Sequence, residues 1–278
     1  MSTEHDQALP TFLLIGATKA GTTSLHWYLS RHPQVFMHPT KELRFFSAEH
    51  NWHRGVDWYR AQFADHAAAM AIGEASNSYT RHPVYAGVPE RIHRVIPEAK
   101  LVYVLRDPVK RLYSHYLHRL ATGREWRDLA QAIEADPSYL AASRYAAQIT
   151  QYLACFPISQ LCIIRAEDLD ADPQGTLATV FRFLGVDDGV AIPPVQLNVS
   201  AERYRAPMAL RQLSRAAPMR PLVARLMRRL GRHAHRLPFH LQTIEGGGLD
   251  EALRARLLQR LDDDLQALRR LAPHLQPW

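Results

Sequence analysis

Residues 12–25 join a short apolar run to a loop that carries one lysine and ends in glycine. Phe12–Gly16 is apolar and ends in glycine, the next five residues include Lys19, and hydroxyl residues at 22–24 open a helical pattern. A strand that leads through such a loop into a helix directs backbone N–H groups and the positive end of the helix dipole at one point. The segment therefore predicts a strand–loop–helix unit that holds a phosphate-like anion.

The position of the lysine separates this loop from the one that binds nucleoside triphosphates. In that loop the second glycine is followed directly by lysine and then by serine or threonine. Here Gly21 is followed by Thr22, and Lys19 lies inside the loop. We therefore expect a phosphate-like ligand that is held differently from ATP. A P-loop kinase or NTPase is the alternative that this segment alone leaves open.

Short apolar runs alternate with helical patterns, which predicts strands that pair in parallel through helical crossovers. The predicted strands are Phe12–Gly16, Ala71–Ala75, Leu101–Leu105 and Leu161–Arg165. The predicted helices are Thr22–Arg31, Val84–Ile96, Pro108–Leu120, Leu129–Ala135, Arg144–Phe156, Pro173–Leu184, Pro207–Ala216, Arg220–Leu230 and Leu249–Leu271. This order predicts an α/β, three-layer fold of the P-loop type, with a central parallel sheet flanked by helices. Its site is expected at the carboxyl ends of the strands.

Composition bounds the organisation of the chain. The 278 residues, 47% of them hydrophobic, suit a single domain over residues 1–278. The formal charge of +7 is concentrated, because residues 203–236 hold ten arginines and no acidic residue. We predict an Arg-rich helical segment there and a C-terminal helix at about 249–271. The opening residues are unlike a signal peptide and two cysteines make no disulfide framework, so we expect a cytoplasmic protein.

A second anion-binding pattern follows the predicted strand Leu101–Leu105. Arg106 comes at the strand end, Asp107 is suited to cap the next helix, and Pro108 suits its first turn. Ser114 lies about two turns into that helix, on the face of the helix entrance. An arginine fork and a hydroxyl that converge there make a second phosphate site. Taken alone, the pattern fits a capped helix with a surface arginine equally well.

Together the two patterns resemble those of the sulfotransferases that use 3′-phosphoadenosine 5′-phosphosulfate. The first is Gly-Ala-Thr-Lys-Ala-Gly-Thr-Thr-Ser-Leu at residues 16–25, and the second is Leu-Arg-Asp-Pro-x2-Arg-x2-Ser at residues 105–114. Three further segments are similar to family patterns: Glu-x-x-Phe-Phe at 42–46, Gly-x-x-Trp-Tyr at 55–59 and Phe-Arg-Phe-Leu-Gly-Val at 181–186. The branch that the chain resembles contains heparan sulfate N- and O-sulfotransferases and their bacterial relatives, which implies a bacterial enzyme.

The resemblance implies a role for each residue of the two patterns. Lys19 would contact the oxygen that bridges phosphorus and sulfur, while Arg106 and Ser114 would hold the 3′-phosphate. The 5′-phosphosulfate would be held by Ala20 and Gly21 and by the backbone N–H and hydroxyl groups of Thr22, Thr23 and Ser24. Glu42 is the implied general base, since partial burial beside the two phenylalanines that follow it strengthens a carboxylate as a base. The phosphosulfate donor is the implied co-substrate, and no metal is expected.

Some positions depart from the family pattern. Ala75 stands where the family has a lysine after glutamate, and we expect Lys41 to replace that lysine. A Lys-Gly-Arg loop helps relatives hold the donor, and Arg203 or Arg205 is the expected substitute here. His38 is a rival general base because the intrinsic pKa of histidine suits the task. The candidate substrate contacts are His38, Lys41, Glu74 and Ser76, and Glu74 is expected to be a structural or substrate-orienting carboxylate rather than the base.

The acceptor and the Arg-rich segment are left open by the sequence. A hydroxyl or amine of a small molecule, a glycan or a lipid fits the pattern, and no nucleic acid is expected. Residues 203–236 fit helices packed on the sheet domain, a lid that recognises an anionic substrate, or a peripheral contact with acidic lipid. The oligomeric state is equally open. Besides a kinase, the competing function is a basic membrane- or anion-binding module with a vestigial phosphate loop.

Overall fold

The computed structural model describes residues 9–66, 69–194, 249–275 and 278. The strands of this part are β1 (Phe12–Gly16), β2 (Val35–Met37), β3 (Ala71–Ala75), β4 (Lys100–Leu105) and β5 (Leu161–Arg165). They form one sheet in the order β2-β3-β1-β4-β5, and every neighbouring pair is parallel. The four predicted strands are all present, and β4 begins one residue before its predicted start. The edge strand β2 is an addition to the predicted set.

Helices connect the strands and flank the sheet. They are α1 (Thr22–Leu29), α2 (Gly55–Ala61), α3 (Val88–Val95), α4 (Pro108–Ala121), α5 (Leu129–Ala135), α6 (Ser138–Ala141), α7 (Tyr145–Leu153), α8 (Ala166–Ala171), α9 (Pro173–Leu184) and α10 (Glu251–Leu271). Helix α3 begins four residues after its predicted start, because Gly87 turns the chain with a φ of 70° directly before it. The predicted α/β fold with a central parallel sheet is confirmed.

The sheet brings the carboxyl ends of its strands to one edge. Strand β1 lies between β3 and β4, and all five of its residues are buried. Because all pairs are parallel, the carboxyl ends of β1, β3, β4 and β5 lie at the same edge. The segments that follow three of these ends begin at Ala17, Ser76 and Arg106. The two predicted anion-binding patterns are therefore neighbours in space although about ninety residues apart in the chain.

Helix α10 forms a second, smaller core with α4. Leu257 and Leu261 of α10 are buried in one cluster with Val109 and Leu112 of α4. On the same side of α10, Arg254 Nη2 lies 2.8 Å from Asp107 Oδ2, so the C-terminal helix also contacts the residue that caps α4. The C-terminal helix thus supports the helix that carries the second anion-binding pattern.

Several predictions fall on residues outside the described ranges. They are the Arg-rich segment 203–236, its two predicted helices, and the donor contacts assigned to Arg203 and Arg205. Across the described residues, no helix combines the length and the apolar character that crossing a membrane requires.

Candidate active site

The loop between β1 and α1 has a backbone that only particular residues allow. Gly16 has a φ of 150°, and a Cβ atom there would lie 2.0 Å from Thr80 Oγ1, so a side chain does not fit. Gly21 has a φ of 91° and precedes α1 as its N-cap. No side chain caps this helix and no acidic residue lies in its first turn. An uncapped helix start keeps N–H groups and a partial positive charge for an anion.

Two arginines from the second pattern hold the carbonyl groups of this loop. Arg106 Nη1 lies 3.4 Å from the carbonyl oxygen of Lys19, and Arg111 Nη1 lies 3.3 Å from that of Thr18. The Arg111 side chain is fully buried, and it also donates to Ser143 Oγ and to the carbonyl of Tyr139. With two carbonyl oxygens engaged by arginines, the loop has a fixed backbone orientation. The two patterns therefore form one site, as predicted.

Arg111 is a site residue to which the sequence analysis assigned no role. It is the second arginine of the Arg-Asp-Pro-x2-Arg-x2-Ser pattern, and its place in that pattern is the signal that could have identified it. Burial lowers its pKa, and within the described residues its guanidinium donates hydrogen bonds to carbonyl and hydroxyl oxygens. A guanidinium held by neutral acceptors adds positive charge beneath the anion-binding loop.

The start of α4 has the predicted geometry. Asp107 Oδ1 accepts hydrogen bonds of 2.9 Å from the backbone N–H groups of Val109 and Lys110, and Pro108 opens the helix. Burial acts to raise the pKa of Asp107, but hydrogen bonds from Arg254 and from the two backbone N–H groups outweigh it and lower that pKa. Tyr145 donates to the carbonyl of Arg106 at 2.8 Å, which fixes the strand end. Ser114 is buried on the same helix.

Residues 41–46 form a segment that lies opposite the loop between β1 and α1, at the same edge of the sheet. Its backbone is tied to the end of β3, since the N–H of Glu42 donates to the carbonyl of Ala75 and the N–H of Arg44 donates to Ser76 Oγ. Among the described residues, the non-glycine residues with positive φ are Lys19, Glu42 and Arg44. All three lie at this site, and such backbone conformations concentrate at functional sites.

The Glu42 carboxylate is held by one donor on each oxygen. Oε1 accepts from the N–H of Asn77 at 3.2 Å, and Oε2 lies 3.2 Å from Arg44 Nε. The side chain is 21% exposed, which agrees with the predicted partial burial. Arg44 in turn contacts His50 Nε2 at 3.0 Å, and burial together with the Arg44 charge lowers the pKa of His50. The carboxylate is thus fixed in position by polar partners and remains accessible.

Lys41 reaches from the same segment to the start of α1. Its Nζ atom lies 2.9 Å from Thr23 Oγ1 and 3.4 Å from Thr22 Oγ1. Burial lowers the pKa of Lys41, and the neighbouring Glu42 opposes that effect. The residue expected to replace the missing lysine at Ala75 therefore lies at the anion-binding helix start.

Glu74 and Ser76 are structural in this geometry. Both are 0% exposed, so the acceptor contact predicted for them does not fit. Glu74 accepts hydrogen bonds from Tyr59 and Tyr79 on one oxygen and from Ser76 on the other, and burial raises its pKa to about 7. Ser76 also accepts the N–H of Arg44. The pair therefore supports the segment that carries Glu42.

His38 lies directly after β2. Its ring is buried and packs edge-on against Phe63, and its Nδ1 atom accepts the backbone N–H of Thr40 at 3.1 Å. Burial lowers the pKa of His38. These contacts organise the turn after β2, and the general-base role and substrate contact of His38 stay predictions.

The decisive comparison is with a protein-family model. Residues 9–205 match the model described as a sulfotransferase domain. The chain belongs to the sulfotransferase family. Sulfotransferases of this family in general take the sulfuryl group from 3′-phosphoadenosine 5′-phosphosulfate, which agrees with the two phosphate-binding patterns. Membership favours sulfuryl transfer over the kinase and the vestigial-loop alternatives.

Two curated sulfotransferases and one solved structure illustrate the relationship. Bifunctional heparan sulfate N-deacetylase/N-sulfotransferase 2 of Bos taurus is 32% identical over 199 residues, and enzyme 3 of this name from Homo sapiens is 34% identical over the same length. Each alignment covers 64% of this chain but only 22% of the relative. The crystal structure of a sulfotransferase from Alicyclobacillus acidocaldarius is 26% identical, with a TM-score of 0.69, and the match covers 97% of this chain and 98% of that one.

Proposed function

We propose that the protein transfers a sulfuryl group from 3′-phosphoadenosine 5′-phosphosulfate to a hydroxyl or an amine of an acceptor. The observation that carries this proposal is the meeting of three features at one sheet edge. They are the uncapped start of α1 with Lys19, the Arg106 side chain at the Lys19 carbonyl, and the Glu42 carboxylate on the facing segment. Such an arrangement supports a site that combines anion-binding groups with a proton acceptor.

The donor fits the chemistry of the loop and of the start of α4. When bound, it supplies a sulfuryl group whose leaving group is a phosphate. Lys19 and the positive end of α1 stabilise the negative charge that develops on that phosphate oxygen. Arg106 and Ser114 hold the 3′-phosphate, since a guanidinium and a hydroxyl suit its oxygens. The 5′ group is held by Ala20, Gly21, Thr22, Thr23 and Ser24.

Glu42 acts on the acceptor side. Its carboxylate takes the proton that the acceptor hydroxyl or amine loses, while the Asn77 N–H and Arg44 hold the two oxygens in place. Transfer of this kind depends mainly on positioning and on charge stabilisation, as in loose phosphoryl transfer. No carboxylate is needed to bind a metal in this scheme.

The acceptor is proposed as a glycan, a lipid or another small molecule. The names of the curated relatives specify heparan sulfate and N-sulfation, which supports amino sugars as the first acceptors to test. Because acceptor specificity resides in loops, the panel also includes alcohols, amines and glycolipids.

A transfer assay with mass spectrometry tests this function. The protein is incubated with the phosphosulfate donor and each acceptor, with Lys19→Ala as the inactive control. We expect at least one acceptor to gain the mass of one sulfuryl group, with release of adenosine 3′,5′-bisphosphate. The proposal is contradicted if the protein instead consumes ATP and transfers a phosphoryl group to the same panel.

A further inference from the structure

The backbone N–H of Asp107, just past the end of β4, donates to a side chain rather than to a strand. The last paired residues of β4 and β5 are Leu105 and Arg165, and the same register continued for two residues would set Asp107 opposite Glu167. The chain turns into α8 at Ala166 instead. Glu167 Oε1 accepts the Asp107 N–H at 2.8 Å. The carboxylate thus takes the place of the backbone carbonyl that a longer strand would offer.

Trp278 holds the other oxygen of the Glu167 carboxylate. Its indole Nε1 donates to Glu167 Oε2 at 3.1 Å. The Trp278 ring also lies against the ring of Tyr145, with the centroids 5.9 Å apart. Tyr145 in turn donates to the carbonyl of Arg106. Trp278 is therefore linked to Asp107 through one residue and to Arg106 through another.

A third contact with this strand end comes from α10. Arg254 Nη2 lies 2.8 Å from Asp107 Oδ2, although the two residues are 147 positions apart in the sequence. We call residues 249–275 together with Trp278 the C-terminal segment. Its contacts reach the side chain of Asp107 directly, the N–H of Asp107 through Glu167, and the carbonyl of Arg106 through a tyrosine. The strand end is therefore fixed from several sides by one distant part of the chain.

The start of α8 lies beside both anion-binding patterns. A Cβ atom on Gly21, at the start of α1, would lie 3.6 Å from the Cβ of Ala166. The next residue, Glu167, holds Asp107 of the second pattern. A ligand that binds at both patterns therefore spans this part of the sheet edge. Because charge-assisted hydrogen bonds need close and aligned partners, displacement of the strand end would weaken the contact of Arg106 with a phosphate.

We propose that the C-terminal segment sets the donor specificity of the site, with Glu167 and Trp278 as positioning residues that hold Arg106 in place for the 3′-phosphate. The inference rests on the proposed function, in which Arg106 binds that phosphate. Glu167 and Trp278 form and break no bond in this role, and they act through Arg106. The ligands they select are nucleotides phosphorylated at both the 3′ and the 5′ position. Nucleotides with only a 5′ group, such as adenosine 5′-phosphosulfate, are disfavoured.

Two nucleotides that differ only in the 3′-phosphate measure this selection. Calorimetry gives the dissociation constants of adenosine 5′-monophosphate and of adenosine 3′,5′-bisphosphate, and we call the first divided by the second the 3′-phosphate ratio. It is measured for the wild type, Arg106→Met, Glu167→Ala and Trp278→Phe, the last of which keeps an aromatic ring but loses the indole donor. The control is Asp170→Ala, at an exposed residue of α8. Circular dichroism verifies that each variant is folded.

We expect a 3′-phosphate ratio of roughly 100 for the wild type, as for a phosphate held by charge-assisted hydrogen bonds. Arg106→Met should lose most of it. Glu167→Ala should lower the ratio about tenfold and Trp278→Phe about threefold, while both bind the monophosphate within about twofold of the wild type. Asp170→Ala should match the wild type with both nucleotides.

A double-mutant cycle separates positioning from a general weakening of the fold. If Glu167 acts through Arg106, adding Glu167→Ala to Arg106→Met should leave the 3′-phosphate ratio unchanged, so that the two effects are not additive. In the transfer assay, Glu167→Ala should raise the KM for the phosphosulfate donor about tenfold and keep kcat within about threefold, because uniform binding is lost.

An unchanged 3′-phosphate ratio in Glu167→Ala and Trp278→Phe would overturn the inference, and so would equal weakening of both nucleotides. A low ratio in Arg106→Met would then still support the proposed function. Failure of the proposed function would appear differently, as a wild type that binds the two nucleotides equally well, and the positioning role would fail with it. If Glu167→Ala does not fold, the ratio of Trp278→Phe alone decides.

Discussion

Lys19, Glu42 and Arg44 adopt a backbone conformation that residues with side chains rarely adopt. Their φ angles are 69°, 65° and 52°. Each such residue costs on the order of 1–3 kcal/mol and persists only where the surrounding structure enforces the conformation. Here the hydrogen bonds to Ala75 and Ser76 provide that enforcement for the segment that carries Glu42. The cost is therefore concentrated at the residues to which the proposed chemistry is assigned.

Glu42→Gln tests the general base at the level of a single residue. Glutamine retains the shape of the side chain but takes up no proton, so we expect kcat to fall about 10²–10⁴-fold. Binding of adenosine 3′,5′-bisphosphate should be unchanged in calorimetry, since Glu42 lies on the acceptor side. Glu49→Gln, which changes an exposed glutamate shortly after this segment, is the matched control. Near-normal turnover of Glu42→Gln would remove Glu42 from the mechanism.

Arg111→Met tests the buried guanidinium beneath the loop. The substitution leaves the carbonyls of Thr18 and Tyr139 and the hydroxyl of Ser143 without this donor, so we expect the free energy of unfolding to fall by about 3 kcal/mol or more. Urea denaturation measures the change, with the exposed Arg124→Met as control. A loss as small as that of the control would show that Arg111 does not hold the loop.

The sequence made Lys19, Arg106 and Glu42 candidate site residues because each belongs to a local pattern with a recognisable spacing. It left Arg111 without a role, since burial of an arginine depends on residues far along the chain such as Ser143. It also assigned acceptor contacts to Glu74, whose hydrogen bonds to Tyr59 and Tyr79 form only in the folded protein. Spacing predicts which residues share a strand end, but tertiary packing decides which of them remain accessible.

At the scale of elements, α7 is capped by a residue from another helix. Its N-cap position, Arg144, makes no side-chain cap hydrogen bond. Instead, Asp264 of α10 accepts the backbone N–H groups of Ala146 and Ala147 at 3.0 and 2.9 Å. These residues are more than 100 positions apart, and no sequence pattern around α7 indicates the contact. The cap links the C-terminal helix to the sheet domain.

Asp264→Ala is therefore expected to destabilise the protein although it alters no apolar core residue. Loss of the cap should lower the free energy of unfolding by about 0.5–2 kcal/mol, the range measured for helix N-caps. The neighbouring Asp263 is exposed, so Asp263→Ala serves as the control in the same thermal or urea denaturation. Equal stability of the two variants would contradict the capping role.

Short elements account for most of the differences between the predicted and the observed elements. Strand β2 has three residues and α6 has four, which is too few for a periodic pattern to develop. Strands β1 and β4 were predictable because they are continuous apolar runs, as expected of strands covered on both faces. The intervening helices predicted that the strands pair in parallel, whereas the sequence did not predict the order of the strands in the sheet.

At the scale of the whole molecule, Glu74 makes stability depend on pH. Burial raises its pKa in the folded state from the ordinary 4.5 to about 7. Between these values the folded protein keeps a proton that the unfolded chain has lost, so stability falls as pH rises through this window. Above about pH 7 both states are ionised, and the full cost of the buried charge remains.

Glu74→Gln removes this titration. Its free energy of unfolding relative to the wild type should therefore increase from about pH 5 to about pH 8, by roughly 2–3 kcal/mol. Urea denaturation at the two pH values gives the difference, in which the other titrating groups cancel. Glu98→Gln, at an exposed glutamate, should show no such change. A pH-independent difference for Glu74→Gln would contradict the raised pKa.

The central claim is that one sheet edge binds a donor phosphorylated at two separate positions. Calorimetry of the wild type with adenosine 3′,5′-bisphosphate and with ATP, each with and without magnesium, tests it most directly. We predict that the bisphosphate binds tightly, that magnesium does not alter its affinity, and that ATP binds more weakly under both conditions. A preference for magnesium–ATP over the bisphosphate would contradict the account.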